Sequence, residues 1–177
     1  MDNRTGAYVA LRAAQILSED RPHVNVVAVA ATEEEIGLVG ASNLSWHIKP
    51  QVAIAIDVTH SSDYPGANKK GDSGIDLGGG PVLGRGSSVN PRVFQGIRDA
   101  GRKLNLTTPV QASGLRTGTD ADGIIRSGAN IATGLISIPN RYMHSPSEIV
   151  SLTDLESAAQ VIAEFVRGVT SESDFRP

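Results

Sequence analysis

The sequence lacks cysteine and contains few aromatic residues. None of its 177 residues is cysteine, so no disulfide holds the fold; this suits a reducing compartment, and we expect a cytoplasmic protein. Aromatic residues make up 4%, which disfavours a stacking surface for single-stranded nucleic acid. The net charge of −3 is also too small to indicate a nucleic-acid-binding surface. Nucleic acid is therefore not among the expected partners.

Long hydrophobic runs are missing as well. No stretch approaches the roughly 18 apolar residues that a membrane span needs, so no membrane partner is predicted. The first four residues show no basic-then-apolar signal segment. With 40% hydrophobic residues, the chain can bury one core, and we expect a single α/β domain over residues 1–177.

Apolar strand patterns alternate with helical patterns along the chain. This alternation predicts a three-layer α/β/α sandwich with a mixed, mostly parallel sheet. The predicted strands are 24–31, 51–58, 81–85, 109–113 and 131–138. The predicted helices are 5–18, 38–46, 91–104, 120–127 and 153–169.

Two of the predicted strands carry specific expectations. Residues 24–31 form a continuous apolar, β-branched run, which is typical of a strand buried on both faces. The strand over 131–138 is expected to end at Pro139, because proline cannot donate to a ladder.

Helix starts are predicted from capping residues. Asn90 is a predicted N-cap, with Pro91 at the first helical position. Asp120 is also expected to cap the helix that it begins. Thr153 and Glu156 have the spacing of a capping box.

Three consecutive glutamates, 33–35, follow the first apolar run. Crowded like charges repel and raise one another's pKa, so a solvated turn or a bound divalent cation must accommodate them. Asp57 is predicted at the end of the next strand, and His144 follows the last one. Because ligands gather beyond the carboxyl ends of parallel strands, these side chains are expected at one edge. Their convergence favours the cation over the solvated turn.

Asp2, Glu35, Asp57 and His144 together form an oxygen-rich set with one imidazole. Two metal ions held a few ångström apart would suit this set, lower the pKa of a shared water and polarise a carbonyl, as amide hydrolysis requires. A neighbouring free carboxylate must then take the proton, and Glu34 is placed for that role.

Five motifs resemble the dinuclear metallo-aminopeptidases of the tetrahedral, deblocking and glutamyl type. They follow the order of that family along the whole chain. The motifs are Met-Asp-Asn-Arg-Thr-Gly at 1–6, Thr-Glu-Glu-Glu-Ile-Gly-Leu-Val-Gly-Ala at 32–41, Ala-Ile-Asp-Val-Thr at 55–59, Gly-Thr-Asp-Ala at 118–121 and Ile-Pro-Asn-Arg-Tyr-Met-His-Ser at 138–145.

The resemblance implies specific roles for the site residues. Asp2 matches the carboxylate that bridges the two metals, and Glu34 matches the general base. Glu35 and His144 match ligands of one metal, and Asp57 matches a ligand of the other.

The resemblance also implies further properties. Family members remove residues from the amino end of peptides with two divalent ions, most often zinc, with cobalt or manganese as alternatives, and assemble into homo-oligomers. The peptide bond from Asp2 to Asn3 is expected to be cis. By their position, Gly118 and Asp120 are candidates for substrate binding.

Two departures from the family pattern matter. The family carries another histidine ligand and an inserted β domain for assembly upstream of the bridging aspartate, so the resemblance covers only its C-terminal half. We therefore expect the ion bound by Asp57 to bind more weakly. We also expect an open edge of the sheet and impaired activity of the isolated chain. Two other readings remain open. One is an endoglucanase-like glycoside hydrolase that uses Glu34 and Asp57, and the other is a non-catalytic, metal-binding remnant.

Overall fold

The computed structural model describes residues 1–67 and 74–176. Within them the chain forms five helices and five strands, numbered in chain order. The helices are α1 (Arg4–Glu19), α2 (Val39–Ile48), α3 (Pro91–Lys103), α4 (Asp120–Arg126) and α5 (Leu152–Arg167). The strands are β1 (Val52–His60), β2 (Val82–Arg85), β3 (Val110–Ala112), β4 (Ala132–Arg141) and β5 (Ile149–Val150).

The strands form one mixed sheet in the order β1-β4-β2-β3, with β5 pairing the end of β4. The longest ladder is parallel and joins β1 to β4, from Val52 opposite Ala132 to His60 opposite Asn140. A second parallel ladder joins β2 to β3, whereas β4 runs antiparallel to β2 and β5. The helices pack in two groups, with α1 and α3 against α5, and α2 against α4. The predicted α/β sandwich is confirmed.

The core is centred on β4. Its side chains are buried from position 133 to position 140, and Ile136 and Ile138 are fully inaccessible. Gly134 lets α3 approach β4 closely, because a Cβ there would lie 2.7 Å from Val93 Cγ1 and 3.0 Å from Ile97 Cδ1. Among the described residues, no helix has the length and apolar character of a membrane span.

The predicted cap of α3 is confirmed, and the predicted cap of α4 is wrong. The Asn90 side chain accepts hydrogen bonds from the backbone N–H groups of Arg92 (2.9 Å) and Val93 (3.1 Å). For α4, the residue before Asp120 is the cap. Thr119 is extended, and its hydroxyl accepts from the Ala121 N–H at 3.2 Å. The threonine hydroxyl accepts a hydrogen bond as an aspartate carboxylate would, so α4 is capped without the Asp120 side chain.

The predicted capping box of α5 is also wrong. The helix begins one residue earlier, with Ser151 as its N-cap, and Ser151 makes no side-chain capping bond. Glu156 is instead bound by Arg12 of α1, which donates to its two carboxylate oxygens at 3.0 and 3.1 Å. A guanidinium is a stronger partner for a carboxylate than a backbone amide, and the pair links α1 to α5.

Pro139 does not end β4, which continues to Arg141. The Asn140 carbonyl accepts from Ser61 on the β1 side, so the neighbouring Pro139 faces the opposite side of the strand. There the ladder with β2 ends at Ser137. Proline is tolerated because no ladder donor is required at this position.

The prediction of a buried strand over 24–31 is wrong for the described residues. The segment belongs to none of the described helices or strands, and Val26, Val27 and Val29 are 43%, 63% and 37% exposed. A β-branched run becomes a buried strand only when a neighbouring strand and a covering layer are present. No described strand pairs with it. Among the described strands, β1 lies at one edge of the sheet and pairs with β4 alone.

Candidate metal centre

Asp2 is held at the start of α1 by its neighbour Asn3. The Asn3 side chain caps α1 by accepting from the Gly6 N–H at 2.8 Å, and it donates to the Ile56 carbonyl of β1 at 2.7 Å. Gly6 is required here, since a Cβ would lie 2.8 Å from the same carbonyl. The bond from Asp2 to Asn3 is cis, as the resemblance implied. Asp2 is thereby fixed beside the strand that carries Asp57.

Glu34 and Glu35 lie in the turn that leads into α2. The Glu34 carbonyl accepts from the N–H groups of Gly37 (3.0 Å) and Leu38 (2.9 Å), which closes the turn. Where the turn meets α2, the Gly40 N–H donates to the Thr32 carbonyl at 3.1 Å. Only glycine fits there, because a Cβ would lie 2.2 Å from that carbonyl oxygen.

Asp57 lies inside β1, opposite Ser137, and not at the strand end as predicted. Its side chain is buried, and its Oδ1 accepts only the N–H of Val58, at 2.8 Å, among the described residues. Burial raises the pKa of Asp57 to about 7, with a further rise from the charges of Glu34, Asp2 and Asp120 and an opposing effect of the Val58 hydrogen bond. A buried carboxylate without a basic partner suits a bound cation.

His144 lies in the loop between β4 and β5, with a left-handed backbone (φ 64°). Its side chain is exposed, and its Nε2 lies 3.1 Å from Asp2 Oδ2. The loop is closed by pairing of Arg141 with Ile149. The hairpin therefore returns the histidine to the start of α1.

Three of the four predicted ligands converge as one group. Asp2, Glu35 and His144 each offer a ligand atom, and these atoms all lie within 4.8 Å of one another. Two carboxylates and an imidazole form a donor set suited to zinc, cobalt or manganese. Asp57 is outside this group but close enough to Asp2 for their charges to interact.

Glu34 is surrounded by the same residues. Burial raises its pKa, and the charges of Glu35, Asp120 and Asp2 raise it further, whereas His144 lowers it. The half-buried carboxylate thus takes up a proton more readily than an ordinary glutamate. This property is expected of a group that accepts a proton at near-neutral pH.

Asp120 and Gly118 have different environments. Asp120 Oδ1 is buried without a hydrogen-bond partner among the described residues, and burial raises its pKa. Its charge raises the pKa of both Glu34 and Asp57, so it belongs to the same acidic group. Gly118 lies in the preceding turn with φ 73°, and its N–H donates to Asp122 at 3.0 Å.

Two residues near the group were not singled out from the sequence. The His60 ring meets the His144 ring edge to face, with centroids 6.3 Å apart. The Glu148 carboxylate accepts from the backbone N–H groups of Asp2 and His144. The position of Glu148, four residues after His144, was the only signal available for it.

The chain matches the family described as M42 glutamyl aminopeptidase over residues 1–161. A lysyl aminopeptidase from Pyrococcus furiosus is 34% identical over 177 residues, which is 100% of this chain and 49% of that protein. An aminopeptidase from the archaeon Desulfurococcus kamchatkensis is 36% identical, with a TM-score of 0.85. That alignment covers 96% of this chain and 48% of the other.

A TET aminopeptidase from a marine-sediment Thaumarchaeota archaeon has a TM-score of 0.87 at 28% identity. It is covered to 49%, and this chain to 97%. The chain thus spans about half the length of the relatives that it matches. Because the family match takes in most of the sequence, the chain belongs to the M42 glutamyl aminopeptidase family.

Proposed function

We propose that this chain carries part of the active site of a metal-dependent aminopeptidase, with peptides as substrates. The observation that supports this most directly is the convergence of Asp2, Glu35 and His144 within 4.8 Å. The family match and the names of the relatives give the same reaction class. The cytoplasmic location, a single catalytic-type domain and homo-oligomerisation are part of the same proposal.

The proposed ligands are assigned to two divalent ions, for which zinc is the first candidate. Asp2, Glu35 and His144 would hold one ion, and Asp57, together with Asp2, would hold the other. Bound ions of this kind polarise a peptide carbonyl and lower the pKa of bound water. The donor set fits, since carboxylate and imidazole groups are common zinc ligands.

Glu34 is the proposed general base. It adjoins Glu35 in sequence, yet it is the half-buried member of the pair, while Glu35 is exposed. Its raised pKa suits proton transfer to and from a substrate near neutral pH. Asp120, with its buried unpartnered oxygen, is proposed to accept a hydrogen bond from the substrate. Gly118 is assigned to the same pocket only by its place in the turn before Asp120.

The second ion is expected to bind more weakly in this chain alone. The group of three does not include Asp57, and the family's further histidine ligand lies outside the resemblance stated above. A metal ion binds more weakly when it has fewer protein ligands and when fewer residues hold those ligands in place. Activity is therefore expected to require the polypeptide that makes up the other half of the relatives.

The endoglucanase-like alternative has less support. Trp46 is the only tryptophan in the sequence, and the described aromatic contacts do not involve the acidic group apart from the imidazole of His144. Sugar binding commonly uses exposed aromatic faces, so the acidic group is better suited to metal ions than to a glycan.

Zinc titration by calorimetry tests the proposal, with hydrolysis of an aminoacyl-anilide as the second readout. We expect one tight and one weaker zinc site, and hydrolysis that a chelator abolishes once a polypeptide matching the half of the relatives that this chain does not cover is added in trans. Glucan hydrolysis that resists the chelator would support the glycosidase instead. Failure to bind any zinc would refute the aminopeptidase proposal.

A further inference from the structure

Glu148 connects the two ends of the candidate metal centre through the backbone. Its Oε2 accepts from the Asp2 N–H at 3.0 Å, and its Oε1 accepts from the His144 N–H at 3.0 Å. Oε2 also accepts from the amino group of Met1. The side chain is 9% exposed.

These hydrogen bonds link Asp2 to His144 through their main chains. A second link joins their side chains, because Asp2 Oδ2 lies 3.1 Å from His144 Nε2. A single carboxylate thus fixes the main chain of both residues, and their side chains meet opposite it. Loss of either backbone contact would leave one ligand free to turn away.

The hairpin explains why Glu148 can perform this function. It immediately precedes β5, whose pairing with Arg141 anchors the loop. His144 has a left-handed backbone, an uncommon state for a residue with a side chain, and its N–H is held by Glu148. A charged acceptor makes stronger hydrogen bonds to amides than a neutral one does.

We propose that Glu148 is a positioning residue of this site: it sets the separation of Asp2 and His144 without contacting the metal. This inference rests on the proposed function, because it assumes that the two side chains are ligands. The residue type is specific. Glutamine would present an amide donor to one of the two N–H groups, and aspartate is shorter by one methylene.

Metal binding by the full chain tests this inference without any activity assay. Co²⁺ is titrated into the unsubstituted protein and into Glu148→Gln, with the visible spectrum and a competing chelator as readouts. We expect affinity to fall about 10- to 100-fold and the spectrum to change, as when a supporting residue of a metal site is lost. Glu156→Gln is the matched control, since it removes an ion pair with Arg12 away from the site.

The outcomes separate the two proposals. If the unsubstituted protein binds no Co²⁺, the proposed function fails. If it binds Co²⁺ and folded Glu148→Gln or Glu148→Asp binds equally well, the role of Glu148 is refuted. If the variants do not fold, amide hydrogen exchange in the unsubstituted protein tests the inference instead. The His144 amide must then exchange more slowly than that of Ser147, whose one acceptor within the described part of the chain is the Ser145 hydroxyl; equal rates would overturn the inference.

Discussion

His144 Nε2 lies 3.1 Å from Asp2 Oδ2, although the two residues are far apart in the sequence. Their meeting depends on the parallel ladder between β1 and β4, which brings the end of β4 beside His60. It also depends on Asn3, which attaches the start of α1 to Ile56. The candidate site is therefore a product of sheet pairing and one side-chain contact.

Substitution of Glu34 separates the roles of the adjacent glutamates. In protein that hydrolyses an aminoacyl-anilide, we expect Glu34→Gln to lower kcat by about 10²- to 10⁴-fold, because the proposed base is lost. Zinc affinity should stay unchanged, since Glu34 is not a proposed ligand. Glu33→Gln is the control and should retain activity. A parallel loss of zinc affinity in Glu34→Gln would show that Glu34 is a ligand and not the base.

The ion pair of Asp63 with Arg141 predicts an acid transition. Arg141 donates to both carboxylate oxygens, at 2.6 and 2.9 Å, and holds the pKa of Asp63 at about 2. The folded pKa lies below the unfolded value, so the stabilisation is complete above about pH 4 and lost as the pH falls towards 2. We expect Asp63→Asn to reduce the free energy of unfolding by about 1–2 kcal/mol at pH 7.

Urea denaturation at pH 7, 4 and 2 measures this effect. The difference between Asp63→Asn and the unsubstituted protein should shrink as the pH falls. Asp99→Asn is the control, because Asp99 forms an exposed ion pair with Arg102 within α3. A difference that stays constant down to pH 2 would exclude the ion pair as its cause.

A methyl group at position 134 tests the close approach of α3 to β4. Gly134→Ala places a Cβ 2.7 Å from Val93 Cγ1, so the helix or its side chains must shift. We expect a loss of about 1–3 kcal/mol in the free energy of unfolding, measured with urea. Gly114→Ala is the control, since a Cβ there meets no atom within 4 Å. Equal stability of the two variants would contradict the tight packing described here.

The exposed segment over 24–31 predicts self-association. Val27 is 63% exposed in a β-branched run that no described strand pairs, a feature that favours edge-to-edge pairing. We expect Val27→Lys to reduce light scattering of concentrated protein without lowering its melting temperature. Leu115→Lys is the control, because Leu115 is 84% exposed but has no β-branched run around it. If both variants reduce scattering equally, general hydrophobicity and not the β-branched run drives association.

Local sequence signals predicted most elements and the residues of the acidic group. The cap at Asn90 and the apolar runs of β1 and β4 were recognisable because they depend on neighbouring residues along the chain. The same signals misplaced the cap of α4, where Thr119 and Asp120 are equally suitable acceptors in sequence. They also predicted the end of β4 at Pro139, because neighbouring residues along the chain do not show on which side a strand is unpaired.

By itself the sequence determined which carboxylate and imidazole side chains lie in or after the apolar runs, and that Glu34 and Glu35 adjoin one another. Only the tertiary structure decided that Asp57 is buried inside β1, that Glu148 bridges Asp2 and His144, and that the run at 24–31 is exposed. The physical reason is the range of the interactions. Helix caps and strand periodicity arise within a few residues, whereas burial, pKa and convergence depend on which distant segments pair.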